Sequence, residues 1–162
     1  MKNPIQYKQI VDHGIRAAGC IILLLLICVC GWESHASADC ADIKITTKQQ
    51  VVSKGDTVYV MVTVTSTTAM SGFEGFFTYD NTVLQFQTGG SVVYGNDDAF
   101  QISDIDRSST ATKLKYSIKF KARKAGDTEI ALTGPYHVFG ESTSTKLSAS
   151  YNSLVLVVKD RE

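Results

Sequence analysis

The side chains able to do chemistry are few. Asp97, Asp98, Asp104 and Asp106 form the only acidic cluster. Calcium needs six or more oxygen ligands, and no EF-hand spacing surrounds these four, so no metal site is expected. His137 is the only histidine after the first 38 residues, and it stands beside Tyr136 behind a Gly134-Pro135 turn. No nucleophile motif accompanies it, which suits a structural or solvent-facing role. A glycosidase would need two carboxylates facing each other across a cleft. A short chain built of strands leaves little room for one. Of four cysteines, Cys20, Cys28 and Cys30 lie in an apolar N-terminal stretch, and only Cys40 lies beyond it. That excludes a disulfide framework and a cysteine zinc site. Cys40 is a bystander or a point of intermolecular pairing. No catalytic residue and no cofactor is assigned. Sixteen basic residues balance sixteen acidic ones, so nothing draws the chain to nucleic acid.

The N-terminal stretch has its own logic. Lys2, Lys8 and Arg16 precede the apolar block CIILLLLICVCGW, Cys20 to Trp32, and Ala36-Ser37-Ala38 follows. A basic region, a short apolar block and an A-x-A site together predict a secretory signal peptide over residues 1–38. The block is short for a spanning helix, which needs about 20 apolar residues. The alternative is an uncleaved N-terminal anchor, and only then would the protein touch a membrane. Residues 39–162 remain as one domain, secreted, extracellular or at the cell surface. At about 120 residues it can bury roughly two-thirds of its unfolded surface, enough to hold together by its core.

Period-two alternation dominates that domain. Thr57 to Thr65 (TVYVMVTVT) sets Val58, Val60, Val62 and Val64 on one face. Lys113 to Ala122 (KLKYSIKFKA) turns Leu114, Tyr116, Ile118 and Phe120 inward and Lys113, Lys115, Lys119 and Lys121 outward. Both patterns predict half-buried antiparallel strands. Ser153 to Val158 (SLVLVV) is apolar on both faces and is expected in the middle of a sheet. Further strands are predicted at Asp42 to Thr47, Gly72 to Tyr79, Thr82 to Gln87, Ala99 to Ile105 and Thr128 to Thr133. Gly- and Asp-rich turns separate them, and Ser66 to Thr68 and Ser142 to Thr145 are expected as exposed loops. Short strands at this spacing predict an all-β antiparallel sandwich.

The segment TYDNTVLQF, residues 78–86, joins two of these strands. Asp80 and Asn81 supply the turn, because Asx side chains bond the backbone just ahead of them. Tyr79 to Phe86 also resembles the Y-D-P-x-V-L-x-F segment of cohesin domains, with Asn81 in place of the proline. Gly55-Asp56-Thr57-Val58 resembles the G-D-T-V start of that family's valine-rich strand. Gly72 to Tyr79 is similar to its G-x-x-x-F/L-x-Y strand, and Leu114 to Ala122 with Gly126-Asp127-Thr128 to its L-x-F-K-A…G-x-T segment. The likeness runs from about Ile43 to Val158.

The resemblance implies a nine-stranded jelly-roll sandwich, related to some carbohydrate-binding modules, and an extracellular, non-catalytic role. Cohesins bind dockerin modules on polysaccharide-degrading enzymes with one flat sheet face. The strand matching Gly72 to Tyr79 contributes its outward residues. Alternation here puts Phe73, Gly75, Phe77 and Tyr79 toward the core, and Glu74, Phe76 and Thr78 outward. Glu74 matches an acidic residue many cohesins use in dockerin contacts, and Gly72 stands where those cohesins have Asn. An outward Phe76 would anchor a partner, unless it packs under a loop. Lys115 and Lys119 are expected, by the resemblance, on a strand neighbouring that of Glu74, where they would steer an acidic partner. The plainer reading of these lysines is a charged face kept for solubility or against edge pairing. The expected partner-binding set is thus Gly72, Glu74, Phe76, Thr78, Lys115 and Lys119, with a dockerin-like protein module as partner. The rival is a carbohydrate-binding module of the same sandwich class, taking a polysaccharide. Trp32 would leave with the signal peptide, so sugar stacking would fall to Tyr94, Tyr136 and Tyr151, if these lie coplanar.

Overall fold

Each buried valine of the third strand has an outward neighbour, and the same rhythm builds both layers of the molecule. The computed structural model describes residues 40–105 and 107–161. The expected signal peptide lies outside them. Eleven strands occur among the described residues, and no helix. They are β1 (Cys40–Thr47), β2 (Val51–Ser53), β3 (Thr57–Met70), β4 (Gly72–Thr78), β5 (Leu84–Thr88), β6 (Val93–Gly95), β7 (Ala99–Asp104), β8 (Ala111–Ala122), β9 (Gly126–Phe139), β10 (Lys146–Tyr151) and β11 (Leu154–Lys159). The expected all-β jelly-roll sandwich is what forms. Eleven strands stand where nine were expected, and β2 and β6 are only three residues each.

Strands run in the order β5-β8-β3-β1-β10-β9-β4-β7-β6. One layer is β5-β8-β3-β1 and the other is β9-β4-β7-β6. Strand β10 joins them, parallel to β1 and antiparallel to β9. Strand β11 is bonded on both sides, antiparallel to the first half of β9 and parallel to β2. Its inner residues Leu154, Leu156 and Val158 are buried, but Val155 on the other face is exposed. Ser66 to Thr68, expected as a loop, belongs to β3. The register with β8 breaks between Thr65 and Met70, and Thr68 N–H instead donates to Ser66 Oγ at 3.2 Å.

Aromatic rings fill the space between the layers. Phe77 and Phe100 stack at 4.8 Å, Phe100 meets Phe120 edge-on at 5.8 Å, and Phe73 lies 6.0 Å from Tyr116. Phe73, Phe77 and Phe100 come from β4 and β7, while Tyr116 and Phe120 come from β8. The contacts to Tyr116 and Phe120 therefore cross the sandwich, while Phe77 and Phe100 stack within one layer. Such pairs contribute about 0.5–1.5 kcal/mol each beyond the area they bury.

One polar tie also crosses it. Asp104 at the end of β7 is buried, and accepts a hydrogen bond from the Tyr116 hydroxyl of β8 at 2.9 Å. Arg107 pairs with the same carboxylate oxygen, so the buried charge is neutralised. Burial, and next the bond to Asp104, push the Tyr116 hydroxyl pKa far above its ordinary 10.0. At the other end, Asp80 makes the turn foreseen for it. Its carboxylate accepts from Thr82 N–H at 2.8 Å and Thr82 Oγ1 at 2.7 Å, and its own N–H donates to Thr128 Oγ1 at 3.0 Å.

Tyr116→Phe should lower stability by about 1.5–3 kcal/mol, the range for a hydrogen bond to a charged group. Urea unfolding at pH 7 measures it, and a loss under about 0.5 kcal/mol, within the scatter of neutral surface changes, would contradict the tie. A raised tyrosine pKa means that the folded state holds the proton more tightly than the unfolded chain does. Stability is then full below about pH 10 and falls as pH rises past it. Tyr116→Phe should show a smaller alkaline loss than the parent.

Candidate functional site

Strand β4 is central to its layer, between β7 and β9, so its outward residues lie in the middle of a face. The alternation places them as expected. Phe73, Phe77 and Tyr79 are buried, while Glu74 and Thr78 are half-buried and Phe76 is 38% exposed. The register sets their neighbours. Glu74 lies opposite Ser103 on β7 and His137 on β9, and Phe76 lies opposite Gln101, which lies opposite Tyr94 on β6. Tyr94, Gln101 and Phe76 thus form a row across three strands. Tyr94 is 61% exposed.

Two features hold this row still. Gln101 Nε2 donates to Glu74 Oε1 at 3.1 Å, which ties the carboxylate to the neighbouring strand β7. Phe76 rests on Gly134, where an added Cβ would come within 2.8 Å of the Phe76 Cβ. The glycine leaves room for the ring to lie down. A shallow hollow of about 210 Å³ opens between Phe76, Tyr94, Asn96 and Gln101. Beyond Glu74, His137 Nε2 lies 3.2 Å from Lys146 Nζ, and its ring packs on Phe139 at 5.9 Å. The histidine is a wall residue of this face.

The remaining expected site residues fall elsewhere. Gly72 is buried, and a Cβ there would stand 2.3 Å from the Asp104 carbonyl oxygen. Its role is close passage of β4 past β7, and it offers no side chain to a partner. Thr78 closes the strand, opposite Ala99 and Ala131. Lys115 and Lys119 do not neighbour Glu74. Strand β8 is bonded to β3 and β5, whereas β4 is bonded to β7 and β9. The inward residues of β8 meet those of β4 across the core, so their lysines emerge on the opposite surface of the sandwich. The expected patch beside Glu74 is corrected accordingly.

Tyr136 and Tyr151 meet at 73°, with ring centres 5.6 Å apart, and the Tyr136 hydroxyl donates to the Ala149 carbonyl at 3.1 Å. They form no coplanar strip for a sugar. Asp104 is turned into the core, and Asp97 and Asp98 sit in the exposed turn before β7. Asp106 lies outside the described residues. Sequence reasoning missed Gln101 and the placement of Tyr94 beside Phe76. The short strand β6 hides among glycines and aspartates (SVVYGNDD), and only its pairing with β7 reveals it.

No protein-family model and no curated protein sequence matches this chain. Solved structures do. The sixth cohesin of scaffoldin B from Acetivibrio cellulolyticus, in complex with a dockerin, superposes with a TM-score of 0.58 at 20% identity, over 74% of this chain and 99% of that one. A non-cellulosomal cohesin from the archaeon Archaeoglobus fulgidus gives 0.57 at 12% identity, over 74% and 91%. A type I cohesin from Clostridium thermocellum, also in complex with a dockerin, gives 0.54 at 11% identity, over 76% and 94%. At these identities the likeness is one of architecture, and the fold of this chain is cohesin-like.

The geometry separates positions that support the face from positions that form it. Gly72→Ala should lower the thermal midpoint by several degrees, as expected for about 1–3 kcal/mol of overpacking. Phe76→Ala and Glu74→Ala, at exposed or half-exposed positions, should lower it much less. Thermal unfolding of the three variants side by side checks this. An unperturbed Gly72→Ala would show that the β4–β7 approach is looser than described.

Proposed function

We propose that this chain is a non-catalytic binding module that takes a protein partner, dockerin-like in kind, on the outer face of the β9-β4-β7-β6 layer. The observation that carries this reading is the row of Tyr94, Gln101 and Phe76 with Glu74 fixed beside it. Two exposed rings on a rigid sheet, next to a held carboxylate, have the make-up of an interface hot spot. Aromatics bury much area at little entropic cost, and a pre-oriented charge adds selectivity. Sheet-borne side chains also keep their geometry better than loop-borne ones. The fold likeness to cohesins crystallised with dockerins supports the same kind of partner.

The proposal extends to place and setting. The basic residues, apolar block and Ala36-Ser37-Ala38 act as a signal for export, so the module works outside the cell or at its surface. There it serves a polysaccharide-degrading or surface assembly. Among the described residues no helix is long and apolar enough to cross a membrane.

Capture from the secreted proteins of the source organism tests the reading. The purified chain, immobilised, should retain a dockerin-bearing protein. Phe76→Ala should weaken that binding by about tenfold or more, equal to about 1.4 kcal/mol, and Glu74→Ala should weaken it measurably. Tyr59→Ala, on the opposite layer, should change nothing. Retention that is indifferent to Phe76 and Glu74 would place the interface elsewhere. Retention of polysaccharide alone on this face would replace the protein reading with the carbohydrate one.

A further inference from the structure

The outer face of the other layer has a different chemistry. Strand β8 lines it with Lys113, Lys115, Ser117, Lys119 and Lys121. Alternate residues of a strand recur about every 6.8 Å, so the lysines mark a line of about 27 Å. On β3 the register sets Tyr59 beside Lys119, Met61 beside Ser117 and Thr63 beside Lys115. Strand β1 adds Lys44 beside Thr63.

Across β1, β3, β5 and β8 the only carboxylate is Asp42. It is already engaged, paired with Lys44 at 3.0 Å and accepting from Ser150 Oγ at 3.1 Å. The Lys44 bond holds its carboxyl below the ordinary carboxylate range. Among the described residues, none of the four β8 lysines forms an ion pair.

Protection of a sheet edge does not explain them. Strand β8 is bonded on both sides, to β3 and β5, so it has no edge to guard. Four like charges on neighbouring positions of one strand repel each other, and an anion laid over them would relieve this. The face also has an aromatic element. Tyr59 is 57% exposed and borders an open groove of about 600 Å³, lined by Thr47, Lys48, Gln49, Met61 and Ser117 as well. Ring, amide, hydroxyls and the amine of Lys48 converge there.

We propose that this face is a second binding site, for a carboxylated polysaccharide of uronate-type sugars. Its carboxylates lie along the β8 lysines, and one sugar ring stacks on Tyr59 in the groove. Several features select this occupant. Lysine is a compact point charge on a flexible stem, suited to spaced carboxylates, whereas bidentate phosphate recognition favours arginine. The threonines, Ser117, Gln49 and Gln85 suit sugar hydroxyls. An extended acidic peptide would join a sheet at an edge, whereas these lysines stand on β8, which is bonded on both sides. A nucleic-acid binder would carry an overall basic balance and several stacking rings, while this chain has zero formal net charge and a single exposed ring here. The site is independent of the first and lies on the other side of the core, so one module could hold a protein and a polyanionic glycan together.

Native affinity electrophoresis of the purified chain tests it, with polygalacturonate, hydroxyethylcellulose, polyphosphate or single-stranded DNA in the gel. Polygalacturonate should retard the chain, and hydroxyethylcellulose should not. Lys115→Gln combined with Lys119→Gln should weaken retardation by about tenfold. Tyr59→Ala should weaken it by about fivefold. Glu74→Ala and Phe76→Ala should leave it unchanged, which separates this site from the proposed protein face. Added salt should weaken it by screening. Absence of retardation would overturn the proposal. So would equal retardation by polyphosphate or DNA with no effect of Tyr59→Ala, which would reduce the face to unspecific charge. All variants lie on exposed or half-buried positions, and a thermal scan confirms that each is folded.

Discussion

Five rings packed between two layers govern this molecule. Phe73 and Phe77 on β4, Phe100 on β7, and Tyr116 and Phe120 on β8 meet across the core. A strand has only two faces, so each inward ring dictates which neighbours point to water. Glu74 and Phe76 are outward because Phe73 and Phe77 are inward. Lys115 and Lys119 are outward because Tyr116, Ile118 and Phe120 are inward. A one-residue slip of either strand would send rings to solvent and charges into the core. Core packing and surface chemistry are therefore a single constraint.

The polar tie adds what apolar packing lacks, a fixed registration of one layer against the other. Asp104 ends β7, Tyr116 belongs to β8, and the hydroxyl between them has one favourable geometry. Gly72 serves the same corner. Because it lacks a side chain, β4 can approach the Asp104 carbonyl, which brings Glu74 and Phe76 into line with Ser103 and Gln101. A residue matched by sequence to a recognition position thus acts through the backbone it admits.

The consequence is a module with two unlike faces. One carries Phe76, Tyr94 and a carboxylate held by Gln101, a small apolar patch with a fixed charge. The other carries a row of lysines with one tyrosine. The formal net charge of zero conceals this row, since four lysines stand together on one strand whose own residues include no carboxylate. Partners meeting the two faces would not compete, since the full thickness of the core lies between them.

Much of this was legible in the sequence alone. Alternation fixed the strands β3, β4 and β8, their inward and outward residues and the all-β class, because a period of two is a local property. Asp80 was legible as a turn for the same reason, since its carboxylate's bonds reach only two residues ahead. The resemblance carried by Gly55 to Val58 and Tyr79 to Phe86 led to the cohesin-like architecture. Which strands lie side by side was decided by the tertiary structure. Pairing joins residues far apart in the chain, and no local pattern encodes it. So the lysines moved from the side of Glu74 to the opposite surface, Tyr94 and Gln101 joined Phe76, and Tyr136 and Tyr151 turned edge to face. The sequence determined what each strand shows to water, and the order of the strands decided which of those displays form one surface.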